Sequence, residues 1–206
     1  MKIYFVRHGE TTYNARDVYQ PLDSPLSEQG IRQAEFVAKR FSHIPIDIIL
    51  ASPLARTRYT TEIINKSLNK QIEWVDELME IKRPSEYINK NGEHETVKTI
   101  KKLIKENFND PNWHFSDEEN FFDFKGRAIR FLKLVDQRSE KHILAVTHGE
   151  ILRMIIGVML FGENLTVDEF NNLQKFLKTI NTGITVCEKG EKRWELITWN
   201  DHAHLR

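Results

Sequence analysis

The sequence predicts an α/β fold in which helices cover both faces of a mainly parallel central sheet, a three-layer α/β/α arrangement. Three observations predict it. Short, nearly continuous apolar runs rich in β-formers alternate with segments whose apolar residues recur every three or four positions, as strands buried on both faces alternate with amphipathic helices. The 206 residues can bury one substantial core, and 40% hydrophobic with 29% charged residues is ordinary for a globular domain. No linker composition, internal repeat or low-complexity tract divides the chain.

Residues 2–6 read as the first strand. Ser27 is placed to cap a helix over 26–41, where Ile31, Ala34, Val37, Ala38 and Phe41 make an apolar stripe between charges. Residues 46–51 are the second strand. Ser52-Pro53 then supplies residues favoured at an N-cap and a first helical position, so a helix is expected from there to about Leu68. Residues 71–78 alternate as a third strand, and 142–147 form a fourth, followed directly by a helix over 149–161. Residues 182–188 and 193–199, joined by Lys189-Gly190-Glu191, read as a C-terminal hairpin. Between strands three and four, about 81–126 reads as a helical insertion covering one end of the sheet. It has helical periodicity over 93–107 and a break at Asp110-Pro111-Asn112. Ser116 with Glu119 is expected to form a capping box ahead of a helix over 120–138. One domain, 1–206, is expected.

Thirty basic residues balance thirty acidic ones, so neither a nucleic acid nor a membrane surface is expected as partner, and any anion specificity must be local. The single cysteine, Cys187, excludes an internal disulfide and suits a reducing compartment. The apolar run before Arg7, His8 and Glu10 is too short for a signal peptide, and none approaches the ~20 residues of a membrane span. A cytoplasmic protein is expected; nothing in the sequence fixes its oligomeric state.

Chemically capable residues fall at strand carboxyl ends: Arg7 and His8 after strand one, Arg56 after strand two, Glu80 after strand three, His148 after strand four. In open α/β sheets that edge holds the ligand crevice, so the five should converge. Two guanidinium groups can each grip a tetrahedral dianion through paired hydrogen bonds, and helix N-termini, including the one at Gly149, add amides. Such a pocket suits phosphate.

Arg7-His8-Gly9-Glu10-Thr11 with Asn14 resembles the opening signature of the histidine phosphatase superfamily, the phosphoglycerate mutase-like proteins. Leu26-Ser27-Glu28-Gln29-Gly30 with Gln33-Ala34 and Ser52-Pro53-Leu54-Ala55-Arg56-Thr57 with Thr60 resemble its next blocks. Leu78-Met79-Glu80-Ile81 is similar to its acid segment, Thr147-His148-Gly149 with Arg153 to its second-histidine block, and Asn200-Asp201 with His204-Leu205 to its ending. The resemblance implies that neutral His8 attacks phosphorus to form a phosphohistidine. Arg7, Arg56, His148, Asn14 and Gly149 would bind the phosphoryl group, and Glu80 would protonate the leaving oxygen and then activate water. No metal and no cofactor is implied, since the arginines supply positive charge.

Glu77 and Glu86 compete with Glu80 for the acid, because Lys82-Arg83-Pro84-Ser85-Glu86 stands where the family usually has glycines. His202 and His204 make a poor metal site without a carboxylate. Trp113, Phe115, Phe121, Phe122 and Phe124 fit core packing better than a substrate cap. Three functions fit: a phosphomonoester phosphatase acting on a small metabolite, a phosphoglycerate mutase, or a non-catalytic phospho-ligand binder. The first is favoured because a mutase needs more basic residues and a larger cover, and Glu150 adds a negative charge at the pocket mouth unless Lys82 or Arg83 offsets it.

Overall fold

The computed structural model describes residues 1–191 and 193–205. Strands β1 (Lys2–Arg7), β2 (Ile48–Ala51), β3 (Ile72–Trp74), β4 (His142–Thr147), β5 (Ile184–Lys189) and β6 (Trp194–Asp201) form one sheet in the order β3-β2-β4-β1-β5-β6. The first four run parallel, while β5 and β6 are antiparallel additions at one edge, so the sheet is mixed and ends in the expected hairpin. Helices α1 (Thr12–Ala15), α2 (Glu28–Phe41), α3 (Ala55–Leu68), α4 (Glu95–Glu106), α5 (Phe121–Asp136), α6 (Gly149–Phe161) and α7 (Val167–Phe176) flank it.

The continuous apolar character of the strands follows from cover on both faces. Ile3, Phe5, Leu50, Ile143 and Ala145 pack with Phe124, Phe131 and Val135 of α5 and with Ile151 and Ile155 of α6. The alternating positions Val6, Ile49, Ala51, Leu144 and Val146 pack with Val37 and Phe41 of α2 and Ile64 of α3. Among the described residues no helix is long and apolar enough to cross a membrane.

Three expectations need correction, and two further helices are present. Helix α3 begins at Ala55 with Leu54 as an N-cap that makes no side-chain bond; the Ser52 hydroxyl faces Nε2 of His148 at 2.8 Å and accepts from the Leu54 amide at 3.4 Å, ahead of the first helical residue. The third strand covers only Ile72–Trp74; it pairs with three residues of β2, and past Ala51 there is nothing to extend along, so Asp76–Leu78 winds into a 3-10 turn. Asn120, not Ser116, caps α5, in a capping box with Asp123, while Glu119 is drawn to Arg127. Helices α1 and α7 were not anticipated; each starts at a threonine capping box, Thr11 with Asn14 and Thr166 with Glu169.

Candidate active site

The carboxyl ends of β1, β2 and β4 are stitched together where the motifs lie. The His8 amide donates to the Thr147 carbonyl (2.9 Å) and the Ser52 amide to that of Val146 (3.0 Å). After His8 the chain passes so close to α2 that a Cβ on Gly9 would lie 2.5 Å from the Gly30 carbonyl oxygen, and one on Gly30 would lie 2.0 Å from that of Glu10. That approach explains both glycines. Side chains from two helices then fix the turn: the Gly9 amide donates to Oγ1 of Thr60 (3.0 Å), the Glu10 amide to Oε1 of Gln33 (2.9 Å), and the Ser27 hydroxyl to the Glu10 carboxylate (2.9 Å).

His8 and His148 are 1% and 0% exposed, with ring centroids 5.1 Å apart. Nδ1 of His8 lies 2.7 Å from the Gly9 carbonyl oxygen, which can only accept, so Nδ1 carries the proton and Nε2 keeps its lone pair. Burial, then Arg56 and Arg7, hold the His8 pKa well below its ordinary value. His148 has the opposite tautomer, since Nδ1 accepts from Nε of Arg56 (3.1 Å) and Nε2 is left to donate to Ser52. It too is held neutral, by burial first and by Arg56 next.

The arginines are not equivalent. Arg7 donates from Nη1 to the Thr179 carbonyl (2.8 Å), while its buried Nε has no partner among the described residues. Arg56 spends Nε on His148 and Nη1 on the Leu22 carbonyl at 3.4 Å, and burial lowers its pKa to about 10, which leaves it charged near neutrality. The expectation that both would offer a paired edge therefore fits Arg7 better than Arg56.

Glu80 sits at the N-terminus of α6, where its carboxyl accepts from the amides of Glu150 (3.2 Å) and Ile151 (3.1 Å) and from its own neighbour Ile81 (3.1 Å). Burial, and then the charge of Glu150, raise its pKa despite those bonds and Arg56. Its irregular backbone is gripped by Arg127 of α5, whose guanidinium donates to the carbonyls of Glu77, Met79 and Glu80 and to the Glu119 carboxylate. Of the competing acids, Glu77 lies 3.8 Å from Arg130 and Glu86 accepts from the Ser116 hydroxyl.

A cavity of about 500 Å³ opens onto this edge, lined by Arg7, Asn14, Arg56, Glu80, Gly149 and Glu150, and also by Lys82, Arg83, Tyr87 and Arg153, the last sharing Thr179 with Arg7. Neither Glu77 nor Glu86 lines it, nor does any of the five aromatics: Phe124 is in the main core and Phe115 packs on the small cluster of Tyr87, Val97 and Ile100. Glu150 is offset, as the sequence left open. Burial opposes its charge, but Arg83 pairs with it and holds its pKa low; Lys82 pairs with Asp117 at 3.3 Å. His202 and His204 are absorbed at the C-terminus, His204 beside the Thr182 hydroxyl at 3.1 Å. Sequence reasoning missed the loop between α7 and β5, where Thr179 and Asn181 touch Arg7 and His8; nothing in its composition sets it apart.

Residues 3–202 match the histidine phosphatase superfamily (branch 1). The chain belongs to that superfamily. A relative named "Putative phosphoserine phosphatase 2", from Hydrogenobacter thermophilus, is 29% identical over 209 residues, spanning 100% of this chain and 98% of that protein. A "Probable phosphoglycerate mutase GpmB" from Yersinia pestis is 49% identical over 65 residues, 31% of this chain and 30% of its own. The solved structure of Bacillus stearothermophilus YhfR superimposes with a TM-score of 0.82 at 24% identity, covering 100% of this chain and 99% of that one, a likeness of fold. Membership of the histidine phosphatase superfamily and these relatives support a phosphatase-type enzyme, in a superfamily whose members include mutases.

Proposed function

We propose that the protein is a metal-independent phosphomonoester hydrolase of the cytoplasm that acts on a small phosphorylated metabolite through a phosphohistidine on His8. The observation that carries this reading is the tautomer of His8: the proton is held on Nδ1 by the Gly9 carbonyl, so Nε2 is a neutral nucleophile beside two arginines. Nε2 attacks phosphorus in line, the bond to the leaving oxygen breaks, and Glu80, whose pKa burial raises, gives that oxygen its proton. In the second half, Glu80 takes a proton from water as the water oxygen attacks the phosphohistidine and frees phosphate. Arg7, Arg56, His148, Asn14 and the Gly149 amide hold the phosphoryl oxygens. Because His8 is almost fully enclosed and Arg7 and Arg56 face the cavity, binding must draw the guanidinium groups around the phosphate far enough for phosphorus to reach Nε2.

The test is a phosphatase screen over phosphorylated metabolites, phosphoserine among them, with His8→Ala as the blank and acid-labile, alkali-stable labelling from a 32P substrate as the readout. Activity or label that survives His8→Ala sinks the mechanism. One observation favours a mutase: Lys82, Arg83 and Arg153 bring more basic residues to the cavity than the sequence led us to expect. Two of them are already paired with carboxylates, leaving Arg153 as the cation outside the phosphate clamp, so hydrolysis remains the preferred reading. Efficient interconversion of 2- and 3-phosphoglycerate with negligible phosphate release would reverse that preference.

A further inference from the structure

We propose that Asn181, outside the phosphate pocket, is the positioning residue that turns the Asn14 amide so that its NH2 group, and not its oxygen, faces the phosphate. The inference rests on the role given to Asn14 above. Asn14 is the third residue of the single turn of α1, and its Oδ1 accepts from the Thr11 amide at 3.2 Å as half of the capping box. A second donor, Nδ2 of Asn181, reaches the same oxygen at 3.4 Å.

A primary amide has two nearly isosteric ends, so its direction is set by what its neighbours can donate or accept. Asn181 has no choice. Its Nδ2 also donates to the carbonyl oxygen of His8 at 2.9 Å, which can only accept, so the NH2 end of Asn181 must lie between His8 and Asn14. With two donors on Oδ1, the other end of Asn14 is directed away from them, and Asn14 lines the cavity. A reversed Asn14 would set NH2 against two N–H donors and turn an oxygen towards an anion.

The loop carrying Asn181 is itself held firmly. The Thr182 amide donates to the Arg7 carbonyl (2.9 Å), the Ile180 amide to Oδ1 of Asn200 (2.8 Å), and a Cβ on Gly183 would lie 2.2 Å from that same Asn200 oxygen. Thr182 takes a left-handed φ of 58° to make the turn. Asn181 is thus delivered from β6 and β1 to the back of the nucleophile's own peptide.

The experiment is a double-mutant cycle of Asn14→Ala and Asn181→Ala, read as kcat/KM on p-nitrophenyl phosphate, with thermal unfolding midpoints recorded for each variant. Each single substitution is expected to cost about tenfold, the scale of one hydrogen bond to a charged group, and the double variant about tenfold as well. A loss of about a hundredfold in the double variant, the product of the two, would overturn the proposal, as would wild-type kcat/KM in Asn181→Ala. Wild-type kcat/KM in Asn14→Ala would overturn the role of Asn14 itself. Should Asn181→Ala fail to fold, Asn181→Asp keeps the shape and removes the donor; the cycle is then run with it and judged by the same outcomes.

Discussion

Replacing Glu80 with glutamine separates proton donation from the structural work of the same carboxyl group. Glu80 accepts from three backbone amides, two of them in the first turn of α6. Glutamine keeps one acceptor oxygen and presents an NH2 to an amide donor, so one or two bonds are lost at about 1–2 kcal/mol in all. For a chain of 206 residues that lowers the unfolding midpoint by roughly 2–8 °C. With the unfolding midpoint of the variant recorded above the assay temperature, the activity loss is chemical. For an alkyl phosphate, whose alkoxide needs a proton to leave, kcat/KM is expected to fall by ~10²- to 10⁴-fold. For p-nitrophenyl phosphate, whose leaving group is stable as an anion, the fall should be less than about tenfold, because kcat/KM reports steps only as far as phosphoenzyme formation. The assay is steady-state kinetics on both substrates at one pH. Equal losses on the two, or no loss on the alkyl phosphate, would refute Glu80 as the acid.

Further outcomes follow from the same geometry. The alkaline limb of the kcat/KM profile should be set by ionisation of Glu80; because Glu150 raises the Glu80 pKa, Glu150→Gln is expected to move that limb to lower pH, and an unmoved or upward-shifted limb would contradict the coupling. Glu80's own contribution to stability is present at low pH and lost as pH rises through its raised pKa, so the unfolding midpoint of wild type should decline across that range while that of Glu80→Gln does not. Gly30→Ala would drive a methyl group into the Glu10 backbone and should cost about 3 kcal/mol or more, seen as a denaturation midpoint shift; Gly149→Ala meets mainly the movable Thr179 hydroxyl at 2.8 Å and should instead raise KM by disturbing Arg7. Dialysis against EDTA should leave turnover intact, and restoration by a divalent ion after a loss would disprove metal independence.

Most of what was legible in the sequence was written in local patterns. The two-sided cover of β1, β2 and β4 showed as unbroken apolar runs, and the positions of Arg7, His8 and His148 followed from where those runs stop, whereas Glu80 lies beyond a 3-10 turn that the run over 71–78 did not reveal. Helix starts were legible where the cap is local, as at Ser27, and misread where tertiary demand wins, as at Ser52, whose hydroxyl serves His148 instead of α3. Which of Glu77, Glu80 and Glu86 faces the cavity could not be read from spacing, since it depends on Arg127, 47 residues beyond Glu80, holding the backbone. Asn181 and Thr179 were invisible for a similar reason: their contacts with His8 and Arg7 span more than 170 residues.

The grip of Arg127 and Glu119 on the acid segment has a further consequence. Glu119 accepts from the Lys82 amide and returns its own amide to the Lys82 carbonyl, closing the stretch from 82 to 119 into a pouch tied at its neck, with Glu80 just below the knot. The pouch is fastened at two further points, by Arg83 to Glu150 and by the backbone bonds of Lys90 and Asn89 with Tyr19, whereas α4 and the Tyr87 cluster lie beyond them. On the proposed reading, changes to α4 and the Tyr87 cluster that keep Arg83 and the knot would alter one wall of the cavity while Glu80 keeps its place. Grafting a different α4 segment between Tyr87 and Glu118, with Arg83 and the Lys82–Glu119 bonds kept, is the corresponding exchange, and its success is measured by whether Glu80-dependent turnover survives.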